Sequence, residues 1–320
     1  MNTENRNARK IEMGKCIRLI ALVVIVVIVT IMNRNFSSVY NIRSMLESVG
    51  ILMVISIGTT FILLIGSMDM SIGANISCCA VLGSILLNKI GFLAFPCMAL
   101  FGCAVGALNG ILHCKLKIPS FIATLGTMSV FNSVALLMCD SVPVSLPKSA
   151  DIYLQWAGVN LSVFSMPFII CIILLLVYLV VQKNSKFGKS CYYIGANERA
   201  AVVSGLRTDK YKILAFMNMG LCCGLAAIIL VARLKSGNPT VGDSYTMMSI
   251  AAVAFGGTAL SGGRGGLLST LLGCFLLIVI TQSLVILGVD IYWQKIVYGA
   301  VVILALCTTV NKTDKALIIK

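Results

Sequence analysis

The stretch MLESVGILMVISIGTTFILLI, residues 45–65, carries one charged side chain, Glu47, followed by 18 residues without a charge. An α-helix needs about 20 predominantly apolar residues to cross the hydrocarbon core of a bilayer. We therefore predict that this stretch is a membrane-spanning helix.

The composition of the whole chain agrees with this prediction. Of its 320 residues, 59% are hydrophobic and 11% are charged, whereas soluble domains carry about 25% charged residues. The mean hydropathy is +1.00. Disordered, collagen-like and coiled-coil chains need more polar, Pro-rich or charged sequence than is present. The predicted fold class is therefore all-α, a polytopic helical membrane protein.

Ten apolar stretches are long enough to cross the bilayer when tilt and flanking residues are allowed for. They cover residues 17–32, 45–65, 71–88, 91–113, 118–139, 164–181, 213–232, 247–261, 266–288 and 291–309. We predict one transmembrane domain over 17–310, a basic cytosolic N-terminus at 1–16 and a cytosolic tail at 311–320. The first stretch could also belong to a signal peptide, but the sequence NRNF at 33–36 lacks the small residues of a cleavage site.

The Lys and Arg side chains predict the orientation, because cytosolic loops carry an excess of them. With both termini inside, 18 of the 25 lie in cytosolic segments and 7 lie outside. Seven of the 18 fall in one internal segment, 182–212. We therefore predict about ten transmembrane helices, N-in and C-in. This placement accounts for the net charge of +14 without a nucleic-acid partner.

The side chains that many enzymes need are scarce in this chain. His113 is the single histidine, which leaves nothing for a Ser-His-Asp triad or a multi-histidine metal site. The 13 cysteines lie mostly in apolar runs without a C-x-x-C pair, as buried apolar side chains do. A P-loop would need a glycine at position 183, where Lys183 stands. We predict no catalytic residue, no metal and no cofactor.

Glycines suggest where helices pack closely. Gly102, Gly106 and Gly110 repeat every four residues in the fourth predicted span. They fall near one face, where the missing side chains let a neighbouring helix approach, so we predict a packing role. Glycines also flank Arg264, and this density predicts a tight cytosolic turn between two spans.

Asp69 is essentially the only ionisable residue within the apolar part of the chain, between the second and third predicted spans. Together with Ser71 and Gly73 it suits the start of a helix, where a carboxylate caps backbone N–H groups at the positive end of the dipole. Ionisable groups inside membranes are also functional suspects, because their burial in hydrocarbon is costly. We expect Asp69 to cap the helix at the cytosolic boundary.

Neutral polar side chains occur within several predicted spans. The candidates for lining a solute pathway are Asn75, Asn109, Thr124, Thr127, Asn132 and Asn218. Such groups could hydrate the path of an uncharged polar solute, or they could form hydrogen bonds between helices. Both uses stay open at this point.

Four blocks of sequence carry a family resemblance through their order and spacing. They are GSMDMSIG at 66–73, IPSFIATLGTM at 118–128, GANERAAVVSG at 195–205 and AAVAFGGTALSGGRGG at 251–266. Over roughly residues 40–310, the chain resembles the ribose-type permease subunits of bacterial ABC sugar importers, in the branched-chain amino acid/sugar permease family.

The resemblance implies a multi-pass permease of the bacterial cell (inner) membrane that imports a sugar or related polar solute. It implies a cytosolic ABC ATPase, an extracytoplasmic solute-binding protein and a second permease copy or paralogue as partners, within a lipid bilayer. A short cytosolic helix couples such permeases to the ATPase, and the third block matches it. The coupling residues implied are Gly195, Asn197, Ala200, Ala201, Ser204 and Gly205.

An ion-coupled secondary transporter of a small polar solute is the alternative. Such carriers usually have several carboxylates within their spans, whereas this chain has essentially Asp69 alone.

Overall fold

The computed structural model describes residues 19, 20, 22–290, 292–294, 296, 297, 299, 300 and 303. The α-helices bounded within this part are α1 (Leu22–Met32), α2 (Val39–Leu64), α3 (Ile72–Ile90), α4 (Ala94–Cys114), α5 (Ser120–Leu137), α6 (Asp151–Gly158), α7 (Met166–Asn184), α8 (Lys186–Ala196), α9 (Glu198–Val203), α10 (Thr208–Leu234), α11 (Asp243–Phe255) and α12 (Leu267–Ile286). The predicted cytosolic ends, 1–16 and 311–320, and most of the tenth predicted span, 291–309, lie outside the described residues.

Four two-residue strands form two antiparallel pairs. They are β1 (Val144–Ser145) with β4 (Ser236–Gly237), and β2 (Asn160–Leu161) with β3 (Phe164–Ser165). Turns of 3-10 helix cover Arg34–Ser37, Gly91–Leu93 and Lys148–Ala150. These elements connect the helices and form no separate layer.

Six helical stretches of the described residues are long and apolar enough to cross a membrane. They are Val39–Leu64, Ile72–Cys114, Ser120–Leu137, Met166–Asn184, Thr208–Leu234 and Leu267–Ile286. The second comprises α3 and α4, which fold back on each other, since Asn75 Nδ2 donates to the Gly102 carbonyl at 3.2 Å. The chain is therefore a multi-pass helical membrane protein.

The helix α2 occupies the centre of the bundle. In its most apolar 18-residue stretch, 83% of the residues are buried, against 17% in the corresponding stretch of α5. A helix that is apolar all round is stable only where other helices cover it or lipid surrounds it. Because α2 lies against α7, α10, α11 and α12, its apolar residues form the middle of the core.

The helix ends gather at two opposite sides of the bundle. At one side, which we call the α8 end, α2 and α7 finish and α12 begins, and Gly263 N donates to the Leu64 carbonyl at 2.9 Å. At the other, the α6 end, Lys235 pairs with Asp151 at 2.9 Å and Arg233 lies 3.7 Å from Glu47. Polar and charged side chains thus concentrate at both ends.

The eighth predicted span, 247–261, differs from the structure. The helix there, α11, has 13 residues, which rise only about 20 Å at 1.5 Å per residue. Gly256 follows its last residue, and Gly257 adopts a φ of +86° that takes the chain out of the helix. Alone, α11 is too short to cross a hydrocarbon core of about 30 Å.

The segment 236–242 precedes α11 and runs back along α3 as strand β4 followed by turns. Gly242 N donates to Ser77 Oγ at 2.9 Å, and Gly73 N donates to Thr246 Oγ1 at 2.8 Å. Non-helical backbone is tolerated at membrane depth only where protein groups or water satisfy it, and α3 provides that here. The segment and α11 thus both form hydrogen bonds to α3.

The helices α4 and α10 approach each other closely along a row of glycines. Gly102, Gly106 and Gly110 all face α10. A β-carbon at Gly102 would overlap the carbonyl oxygen of Gly220, and one at Gly106 would overlap that of Phe216. The two backbones are therefore in direct contact, which only glycine permits at these positions.

A side chain at Gly106 should force these helices apart. We expect Gly106→Val to lower the stability of the purified protein by about 1–3 kcal/mol or more, as overpacked cores do. Thermal unfolding in detergent measures the effect. Gly126→Val is the matched control, because a β-carbon on this glycine of α5 meets nothing within 4 Å. An equal loss of thermal stability in Gly106→Val and Gly126→Val would contradict the packing role.

Candidate functional site

The helices α8 and α9 form a pair at the α8 end of the bundle. Each begins at a side-chain cap that satisfies a free N–H of its first turn. Ser185 Oγ accepts from Gly188 N at 2.9 Å, and Asn197 Oδ1 accepts from Ala200 N at 3.1 Å. After α9 the chain turns at Gly205, whose φ is +82°. The short helix that the family resemblance implies within the block 195–205 thus corresponds to α9.

A groove between α8 and α9 contains most of the predicted coupling residues. Its lining is Tyr193, Ala196, Asn197, Ala200, Ala201, Ser204, Gly205 and Leu206. Gly195 is the exception among the six predicted residues. It faces the bundle, where a β-carbon would overlap the carbonyl oxygen of Leu64.

Exposed apolar side chains surround this groove. Val203 is 89% exposed, Tyr193 62% and Val202 53%, whereas Ala201 is buried. Scattered exposed apolar residues are ordinary, but several beside one groove are typical of an interaction surface. The outer face of α9 is therefore suited to contact another protein, while the Ala201 side chain is turned away from solvent.

An ion pair fixes α9 to α10. Lys212 Nζ lies 2.5 Å from Glu198 Oε1, and the Lys212 side chain is only 12% exposed. The glycine-rich turn at 261–266 lies nearby, with Arg264 exposed and its carbonyl accepting from Ala259 N at 2.9 Å. The helix α9, the start of α10 and the glycine-rich turn therefore occupy one end of the molecule.

Asp69 lies in the connection between α2 and α3 and is 4% exposed. Its Oδ1 accepts from Ser71 N at 2.8 Å and from Ser71 Oγ at 2.6 Å. Ser71 immediately precedes α3, and the first-turn N–H of Gly73 is satisfied by Thr246. Burial raises the pKa of the Asp69 carboxyl, and the hydrogen bonds from Ser71 lower it. The carboxylate thus shapes the entry to α3, and its capping role stays a prediction.

A chain of hydrogen bonds continues from Ser71 across the helices. Asn109 Nδ2 donates to Ser71 Oγ at 2.7 Å, and Thr127 Oγ1 donates to Asn109 Oδ1 at 2.7 Å. Thr124 Oγ1 accepts from Met70 N at 2.9 Å. These side chains join the α2–α3 connection to α4 and α5. Their bonds favour the interhelical use, and pathway lining by them stays a prediction.

The remaining pathway candidates fall into two groups. Asn75 bonds the α4 backbone, as described above. Asn132 Oδ1 and Asn218 Nδ2 are buried without a hydrogen-bond partner in the described part of the chain. Asn218 uses its Oδ1 to accept from Tyr178 at 2.5 Å. Two amides therefore keep an unused polar atom inside the bundle.

The cysteines and acidic residues do not cluster in the described part of the chain. No group of three or more His, Cys, Asp or Glu side chains there could hold a metal ion. Seven of the eleven described cysteines are buried, and all eleven are free thiols.

Comparison with known proteins places the chain among transport components. The family described as "Branched-chain amino acid transport system / permease component" matches residues 41–306. The chain is 36% identical over 279 residues to the ribose import permease protein RbsC of Bacillus subtilis (strain 168), covering 86% of each chain. No solved structure matches it.

Two further relatives have different printed names. The probable ABC transporter permease protein YphD of Escherichia coli (strain K12) is 32% identical over 283 residues, 88% of this chain and 85% of that one. The autoinducer 2 import system permease protein LsrC of Yersinia pseudotuberculosis serotype O:1b is 31% identical over 288 residues, 89% and 81%. Since the family match covers most of the sequence, the chain belongs to the family of branched-chain amino acid transport system permease components.

Proposed function

We propose that this chain is the membrane-spanning permease subunit of an ATP-binding cassette importer. Its family match and its multi-pass helical fold support this function. It is a transport component rather than an enzyme. ATP hydrolysis would come from a separate cytosolic ATPase, and an extracytoplasmic binding protein would deliver the solute.

The proposed solute is a sugar or a related polar compound. Relatives of this chain are named as ribose and autoinducer 2 import permeases, which supports a small polar solute. The unpartnered amide atoms of Asn132 and Asn218 offer a donor and an acceptor to water or solute hydroxyls. Hydrogen bonding to an uncharged solute would need no ionised side chain in the path.

The ATPase is proposed to dock on the groove between α8 and α9. The single observation that carries this assignment is the exposure of Tyr193, Val202 and Val203 beside the groove, at an end rich in basic residues. Alternating access would follow when closure of the ATPase pair moves α9 and tilts the spans attached to it.

The α8 end is proposed to face the cytosol of a bacterial cell, across its inner membrane. Ten Lys and Arg residues of the described part lie at the α8 end and six at the α6 end, which supports this orientation. Counting α1, a crossing made jointly by residues 236–255, and the predicted span 291–309 gives ten crossings, with both termini inside. A second copy or a paralogue would complete the permease within the lipid bilayer, as the family resemblance implies.

Cysteine labelling tests the orientation. In a background without native cysteines, a membrane-impermeant maleimide should label Lys148→Cys in intact cells and Arg199→Cys only after permeabilisation, since both positions are exposed at opposite ends. Labelling of position 199 alone in intact cells would overturn the assignment.

A charge on the outer face of α9 should break the contact with the ATPase. We expect Val203→Glu to weaken co-purification of the ATPase by about tenfold or more, because a buried unpaired charge costs several times the ~1 kcal/mol of an ordinary hydrogen bond. Val142→Glu is the matched control, since Val142 is 64% exposed at the α6 end. Ala201 is less suitable, because its burial would make any loss reflect folding.

Normal ATPase binding and transport by Val203→Glu would reject α9 as the docking helix. Loss of binding by both Glu variants would point to a general defect and would also reject it.

The Asp69 variants separate an ATP-driven importer from an ion-coupled carrier. Asp69→Asn keeps an Oδ1 acceptor for Ser71 and should preserve most uptake, whereas Asp69→Ala removes it and should cost about 0.5–2 kcal/mol of stability. Uptake is measured in vesicles with the ATPase and binding protein, with and without a proton gradient. Loss of uptake in Asp69→Asn, with gradient dependence in the unmodified protein, would favour the ion-coupled alternative.

A further inference from the structure

Three segments meet between α8 and the start of α12. Gln182 lies in the last turn of α7 and is 8% exposed, Tyr192 lies in the middle of α8, and Gly265 and Leu267 flank the start of α12. The start of α12 is distant in sequence from both α7 and α8. Their contact therefore links the docking helices to a span that is distant in sequence from α8.

The link is a continuous set of hydrogen bonds. Gln182 Nε2 donates to the Tyr192 hydroxyl, which donates to the Gly265 carbonyl at 2.8 Å. Gln182 Oε1 accepts from Leu267 N at 3.3 Å, one of the N–H groups that a helix start leaves free. The amide of Gln182 and the hydroxyl of Tyr192 are thus both hydrogen-bonded. Two of these bonds are made to backbone atoms at the start of α12.

The tyrosine keeps its proton at neutral pH. Burial raises the pKa of the Tyr192 phenol, and the hydrogen bond from Gln182 lowers it by less. The hydroxyl therefore remains a donor to Gly265 throughout the physiological range.

A second contact holds α8 against the same turn. Gly195 packs directly on the Leu64 carbonyl, which accepts from Gly263 N at 2.9 Å. Farther along α12, Thr270 Oγ1 lies 3.0 Å from Thr60 Oγ1 of α2. The start of α12 thus has α8 on one side and the central helix on the other.

We propose that Tyr192 and Gln182 are positioning residues that transmit the movement of α8 and α9 to the start of α12. This inference rests on the proposed function, because the movement originates at the docked ATPase. When α9 shifts, α8 carries the tyrosine with it, and the hydrogen bonds to Gly265 and Leu267 draw the α12 entry along. Without these bonds, α8 could move while α12 stays in place.

The test is the number of solute molecules imported per ATP hydrolysed. The assembled importer, with its ATPase and binding protein, is reconstituted in vesicles carrying Tyr192→Phe, Gln182→Met or both. Each single variant should hydrolyse ATP and retain the ATPase on co-purification, yet import about tenfold less solute per ATP, the scale of a typical coupling between sites. The double variant should lose no more than the worse single variant, because both remove one link.

Tyr211→Phe is the matched control. Tyr211 is half-buried at the same end of the bundle, and no hydrogen bond from its hydroxyl is seen in the described part of the chain. It should import normally.

An unchanged ratio in both single variants, additive losses in the double variant, or loss of the ATPase from both would overturn the inference. If Tyr192→Phe alone fails to assemble, Gln182→Met decides by the same criteria. If the proposed function itself is wrong, the unmodified complex will show no ATP-dependent uptake. That result is distinct from a failure of the inference about Tyr192 and Gln182.

Discussion

Direct contact between the backbones of α4 and α10 is the constraint on which the bundle depends. Within a bilayer, apolar side chains gain nothing by leaving lipid, so association rests on close packing and on hydrogen bonds between helices. At Gly102 and Gly106, carbonyl oxygens of α10 occupy the space that a side chain on α4 would fill. The α3–α4 hairpin is thereby held to α10, and α3 in turn supports the segment 236–242 before α11.

Glycines also permit direct backbone contact at the α8 end of the bundle. Gly195 and Gly263 both approach the carbonyl of Leu64, so α8, the glycine-rich turn and the central helix α2 meet at one point. Close contact there makes α8 and α9 part of the bundle rather than a loose loop. A force applied to α9 would therefore reach the membrane spans through packed backbone.

The sequence predicted a polytopic helical fold, because length and apolarity decide it, and the family resemblance implied a short helix where α9 lies. It overestimated the eighth span, because the apolar run continues past Phe255 while Gly256 and Gly257 end the helix. The roles of Gln182 and Tyr192 gave no signal in sequence, since a single amide at the end of an apolar span has no pattern and its partners lie far along the chain. For Asn75 and Asn109 the sequence left two uses open, and their hydrogen-bond partners, which favour the interhelical use, are known only from the fold.

The central claim is that ATP hydrolysis by a separate subunit drives a solute through this chain. The most direct measurement is uptake, by vesicles holding this chain and its ATPase, of the sugar retained by the cognate binding protein. We predict uptake that requires ATP on the α8 side and continues when ionophores abolish all ion gradients. Uptake that ignores ATP and stops with the ionophores would contradict the account.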